Sequence, residues 1–224
     1  MFGTPSVTRD GAVASPSRLA RVARALVVLT VAEALAVLGY VAVTEGDVLS
    51  LRYLAYPFVW TNAAVLAVAY APISRPTDRW TGGALAVSVV YFLVLCWAGG
   101  LLAVTGESGL GTASVLPAVP GWGPILAVTG GAVHATLVPF KVIGYAGLAA
   151  LVYAALARSS RGVLSGALGL VTCVSCTGSV LATLLAGTVG GSSVAVSEVM
   201  ARSYDLSTPV FLITVAALWV ALHR

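Results

Sequence analysis

Between Leu19 and Leu222 the chain is a succession of apolar runs, each long enough or nearly long enough to cross a bilayer as a helix. A helix rising 1.5 Å per residue needs about 20 apolar residues to cover the hydrocarbon thickness. The runs are Leu19–Val43, Tyr53–Ala71, Gly82–Val104, Leu126–Ala157, Val163–Val189 and Leu206–Leu222. The chain is 59% hydrophobic and only 9% charged, whereas soluble domains carry about 25% charged residues. It cannot cover a water-facing surface, so the excess apolar area must meet lipid. The sequence predicts an all-α, polytopic bundle of six transmembrane helices in the cell membrane. Residues 1–18 are expected to form a cytoplasmic tail and residues 19–222 a single membrane domain.

Several details follow from the runs. The fourth is long enough to tilt, and its Pro139 is expected to kink it. The last is short, with Thr208–Pro209 as its expected start. Between the third and fourth runs, "TGESGLGTASVLPAVPGWGP" (Thr105–Pro124) reads as an outer loop lying on the interface and anchored by Trp122. A short interfacial helix is expected around Val194–Tyr204. The first run begins with arginines and contains Ala-x-Ala, like a cleavable signal. However, Glu33 interrupts it and the apolar stretch continues through "VLGYVAV", which favours a retained helix.

Orientation follows from the basic residues. Arg9, Arg18, Arg21, Arg24, Arg75, Arg79, Arg158, Arg161 and Arg224 fall on one side of the predicted bundle, and Arg52 and Arg202 on the other. Both termini are therefore expected in the cytoplasm. The net charge of +4 does not point to nucleic acid, because the arginines mark segment ends rather than a patch. The expected partners are the lipid bilayer and a membrane-protein subunit or a second copy of the chain.

The predicted fifth helix carries "LVTCVSCTG" (Leu170–Gly178). Cys173 and Cys176 are spaced i,i+3 and share one helix face. They lie in a stripe of small and hydroxylated residues that includes Ser165, Gly169, Thr172, Ser179, Thr183 and Gly187, the composition of a close membrane helix–helix seam. One reading is packing. The other is chemistry, based on depth. Helix rise puts Cys173 and Cys176 about 18 and 22 Å from Arg161, and Cys96 about 24 Å from Trp80. Three thiols at one level would suit a soft ion such as copper(I), with His134 as a further ligand, or a dithiol–disulfide exchange.

Ionisable residues inside a span are costly and are functional hypotheses by default. Lys141 lies about 25 Å from Arg158 and Glu33 about 13 Å from Arg24 by helix rise. Asn62, at the level of Glu33, is expected to hydrogen-bond it, a contact worth about 1 kcal/mol in a bilayer. His134, Val138, Lys141 and Tyr145 would form one stripe of a continuous fourth helix. Structural glue and a proton- or ion-handling path of Glu33, Asn62 and Lys141 both remain open here.

The "CVSC" of Cys173–Cys176 resembles the intramembrane Cys-x-x-Cys of the vitamin K epoxide reductase family, whose pair reduces a quinone. That family's second cysteine pair, in an outer loop, has no counterpart in this chain. The Ala/Val/Gly-rich, arginine-biased whole, with "LVTCVSCTGSVLATLL" and the acidic "TEGD" and "TGESG", resembles uncharacterised multi-pass membrane proteins of halophilic archaea. The resemblance implies no established activity. The expectation is a non-enzymatic accessory or structural membrane subunit, with an intramembrane thiol site for copper or redox as its sharper form. The alternative is a small permease or proton-coupled transporter using Glu33, Asn62 and Lys141.

Overall fold

The computed structural model describes residues 16–44, 51–106, 108–109, 111–158 and 193–223. Among the described residues there are five helices and one sheet: α1 (Pro16–Thr44), α2 (Leu51–Tyr70), α3 (Arg79–Ala98), β1 (Leu102–Val104), β2 (Thr112–Leu116), β3 (Ile125–Thr129), β4 (Val133–Leu137), α4 (Pro139–Arg158) and α5 (Ser193–His223). Three helical segments are long and apolar enough to cross a membrane: Leu19–Thr44, Arg79–Ala98 and Pro139–Arg158. The apolar part of α5, Ser207–His223, is shorter. The described residues thus support three such helices rather than six, and the fifth predicted run, Val163–Val189, lies outside them.

The expectation of an all-α chain is corrected by the sheet. It has the order β1-β4-β3-β2, and every pairing is antiparallel. The predicted fourth run is split by it. Its first third forms the β3–β4 hairpin, turning at Gly130, which adopts a left-handed φ of 79°. The helix starts only at Pro139. Proline fits the first helical position because its missing N–H needs no intrahelical acceptor there, so it starts α4 rather than kinking a longer helix. The reverse holds at Pro209. It lies inside α5, and the expected interfacial helix and last span are one continuous element. The predicted outer loop Thr105–Pro124 supplies β2, with Trp122 half-buried against Tyr53, Phe140 and Tyr204.

Helix α4 is the hub, packing on α2, α3 and α5. Trp60 of α2 stacks on Phe211 of α5 at 4.1 Å between ring centroids, and its indole N–H donates to Thr208 Oγ1 at 3.1 Å. Phe140 and Tyr145 of α4 meet Trp60 edge-on. This close approach depends on small residues. A Cβ on Gly144 would stand 2.5 Å from Trp60 Cε3, and one on Gly147 would stand 2.7 Å from Ala64 Cβ. Helix α1 packs mainly on α2, and none of its apolar window is buried.

The two ends of the bundle differ. Trp80 at the start of α3 donates to Leu156 O, Tyr153 to Ser74 O, and Arg158 at the end of α4 to Leu222 O. Arg21, Tyr70 and His223 line one groove at this same end. Asp78 caps α3 there, its carboxylate accepting from Thr81 N at 2.8 Å. The opposite end carries the sheet. There α5 is tied to α2 by Asp205, which meets both Arg52 and the Tyr56 hydroxyl.

Candidate functional site

Glu33 sits near the middle of α1, about 21 Å by helix rise from Leu19 and about 17 Å from Thr44. Its side chain turns toward α2, where Asn62 Nδ2 donates to Oε2 at 2.6 Å. The expected Glu33–Asn62 contact is therefore present. The same Nδ2 donates to the Phe58 carbonyl at 2.8 Å, one turn back. That second bond determines which end of the amide faces the carboxylate, because a flipped amide would set oxygen against oxygen at Phe58. Asn62 is buried, and its Oδ1 has no hydrogen-bond partner. A buried amide oxygen without a donor costs about 1–3 kcal/mol. Carboxylate and amide oxygen together make an acceptor-rich corner.

Glu33, with Asn62 behind it, borders a cavity of about 340 Å³ at the sheet-side half of the molecule. Glu33, Tyr40, Phe58 and Thr61 form one side, and Phe140 and Ile143 at the start of α4 form the other. Its roof is the Gly121–Pro124 stretch of the β2–β3 connection. The Tyr40 hydroxyl holds this roof by donating to Ala118 O at 2.9 Å and accepting from Ala118 N at 2.8 Å. Trp122 N–H donates to Tyr53 O at 2.8 Å. A Cβ on Gly123 would come within 2.9 Å of the Tyr40 hydroxyl oxygen, so the roof lies directly against α1. A volume of this size is at the lower end of small-ligand sites. Among the side chains lining it, Glu33 is the only one that carries a charge.

Lys141 is elsewhere. It lies in the first turn of α4, its Nζ 3.4 Å from Gly99 O at the end of α3 and 4.9 Å from the Tyr204 ring centroid. A cation at a helix C-terminus is stabilised by the carbonyls exposed there. Lys141 thus joins α3, α4 and α5 and does not line the cavity. His134 is on β4, not on a helix, and its Nε2 accepts from Gly130 N at 3.1 Å across the hairpin turn. The expected stripe of His134, Val138, Lys141 and Tyr145 is broken by the strand-to-helix change at Val138. Cys96 is buried near the end of α3. Cys173 and Cys176 lie outside the described residues, and with them the predicted small-residue seam. Among the described residues, no three His, Cys, Asp or Glu side chains gather closely enough to hold a metal ion.

The residues missed by the sequence analysis are Thr61, Phe140 and the Gly121–Pro124 roof. The adjacent pair Thr61–Asn62 in an otherwise apolar helix was the available signal for Thr61. The roof left none, because only the fold of the sheet brings it over α1. Residues 6–223 match a protein family described as a family of unknown function (DUF7546). No curated protein matches the chain, and no solved structure does.

Proposed function

The chain belongs to that family, DUF7546, and from its geometry we propose that it is a multi-pass membrane carrier of a proton or small monovalent cation, with Glu33 as the binding carboxylate. The observation that carries this is Glu33, held by Asn62, at the side of the sheet-roofed cavity. An ionisable group at mid-span is expensive in hydrocarbon and is typically kept for ion or proton handling. Asn62 orients the carboxylate, and Thr61 adds a hydroxyl beside it. Carboxylate and hydroxyl oxygens, with no thiol, thioether or imidazole among the lining side chains, suit a hard cation or a proton.

In this proposal the cation arrives from the sheet side, reaches the cavity and pairs with Glu33. Release toward the arginine-rich end then requires α1 to shift against α2. Helix α1 suits such movement because it has few buried contacts to lose. The arginine distribution supports a cytoplasmic placement of that end. Helices α4 and α5 run in the same direction, and a parallel pair needs a return crossing between them. The run Val163–Val189 supplies that return in the six-span reading. The acidic outer loops suit the salty exterior implied by the resemblance to proteins of halophilic archaea.

The test is flux. Wild-type protein in liposomes should dissipate an imposed proton or sodium gradient, and Glu33→Gln should abolish this while keeping the fold. Glutamine still offers Asn62 an acceptor, so lost flux would reflect lost charge. Equal flux from both proteins, or none from the wild type, would overturn the carrier.

A second reading, an accessory subunit, is favoured by one specific observation. Helix α1 exposes Leu26, Val27, Val28, Val31, Leu35 and Leu38, a surface that must face lipid or a partner. Copurification of a stoichiometric partner that is lost on Val31→Arg would support this reading. A copper or redox role for the thiols would rest on Cys173 and Cys176 together with Cys96.

A further inference from the structure

A second groove lies at the other end of the molecule from Glu33. It occupies about 600 Å³ between α1, α2 and the end of α5, with apolar walls that include Leu66, Leu212, Val215 and Trp219. Its polar residues are Arg21, Tyr70 and His223. All three belong to the arginine-rich end, at the start of α1 and the ends of α2 and α5. From His223 to Leu212 the groove runs about 16 Å by helix rise, half of a hydrocarbon core about 30 Å thick. It is polar at one end, apolar along its length, and one leaflet deep.

We propose that this groove binds one phospholipid with an anionic headgroup, its phosphate at Arg21 and Tyr70 and an acyl chain along α2 and α5. The shape favours a lipid over a polar soluble ligand, because the walls are apolar along the groove and its polar residues gather at one end. The guanidinium selects an anionic head over a zwitterionic one, since a zwitterionic head brings its own cation. His223 stacks on Trp219 at 4.0 Å between centroids, with Nδ1 2.8 Å from Trp219 O. This holds the ring as a flat wall at the headgroup level. The site rests on the membrane reading above but not on Glu33.

The test uses the purified full chain in detergent, incubated with equal amounts of phosphatidylglycerol and phosphatidylcholine, and bound lipid is counted by native mass spectrometry. Phosphatidylglycerol should be retained over phosphatidylcholine. Arg21→Gln should reduce that preference about fivefold, the weight of one interfacial cation. Arg24→Gln, one turn further on and not lining the groove, should leave it unchanged. Ala216→Trp, which fills the groove, should lower retention of both lipids. Equal retention by the wild type, or an equal effect of Arg21→Gln and Arg24→Gln, overturns the site. So does a change from dimer to monomer on Ala216→Trp with lipid retention intact, which would assign the groove to a second copy of the chain. Failure of the carrier would show instead as unchanged flux in Glu33→Gln, a variant that keeps its lipid. Binding of neither lipid would overturn the site.

Discussion

Gly147 shows how much of this molecule rests on single atoms. A Cβ there would stand 2.7 Å from Ala64 Cβ, well inside contact distance, and Gly144 one turn earlier is as close to Trp60. Overpacking a tight contact costs about 1–3 kcal/mol. Gly147→Leu is therefore expected to lower the thermal midpoint of the detergent-solubilised protein by several degrees. Gly39→Leu, where a Cβ meets nothing within 4 Å, should leave it unchanged. A differential scan of the two variants checks this. The small-residue seam read from the sequence, on the run Val163–Val189, lies outside the described residues, and Gly144 and Gly147 carried no comparable signal, because spacing shows which residues can approach a neighbour but not which neighbour is present. The Glu33–Asn62 contact was legible for the opposite reason. Two polar groups at one depth in a nonpolar surround have few other partners to choose from.

At the scale of elements, the instructive case is Leu126–Ala157. Its apolar residues are continuous, and periodicity alone does not separate a buried strand from a buried helix. The better evidence was local: Gly130–Gly131 flanked by Val128, Thr129, Val133 and Thr136, then Pro139 at a position that starts helices. Gly131 packs the hairpin against the chain before β2, where a Cβ would be 2.5 Å from Gly111 N. Gly131→Val is expected to open this sheet while sparing α4. In hydrogen exchange, the amides of β2, β3 and β4 should lose protection by at least tenfold, and those of Leu148–Ala154 should keep theirs. The cavity roof would loosen with the sheet, since Gly121–Pro124 connects β2 to β3. The capping of α3 by Asp78 and Thr81 was local in sequence and follows directly from residue type.

At the scale of the whole molecule, α1 to α4 alternate and α5 runs parallel to α4, so that Arg21, Arg79 and Arg158 share one end and the sheet caps the other. For the proposed membrane placement this predicts sidedness. A cysteine introduced at Ala113, exposed on β2, should react in intact cells with an impermeant maleimide above the native background. One at Thr77, beside the α3 cap, should react only after permeabilisation. The reverse pattern, or equal labelling, would count against the orientation. The apolar runs and the depletion of charge by themselves determined that this chain carries membrane-length helices, because composition decides which solvent a surface can face. They also placed Glu33 and Asn62 at one depth, since helix rise is a property of the backbone. Whether an apolar stretch became strand or helix, whether Lys141 joined the carboxylate or an α3 carbonyl, and what roofs the cavity were decided by the tertiary structure alone. Those outcomes depend on contacts between residues far apart in the chain, and no local pattern encodes a contact whose partner is brought near only by folding.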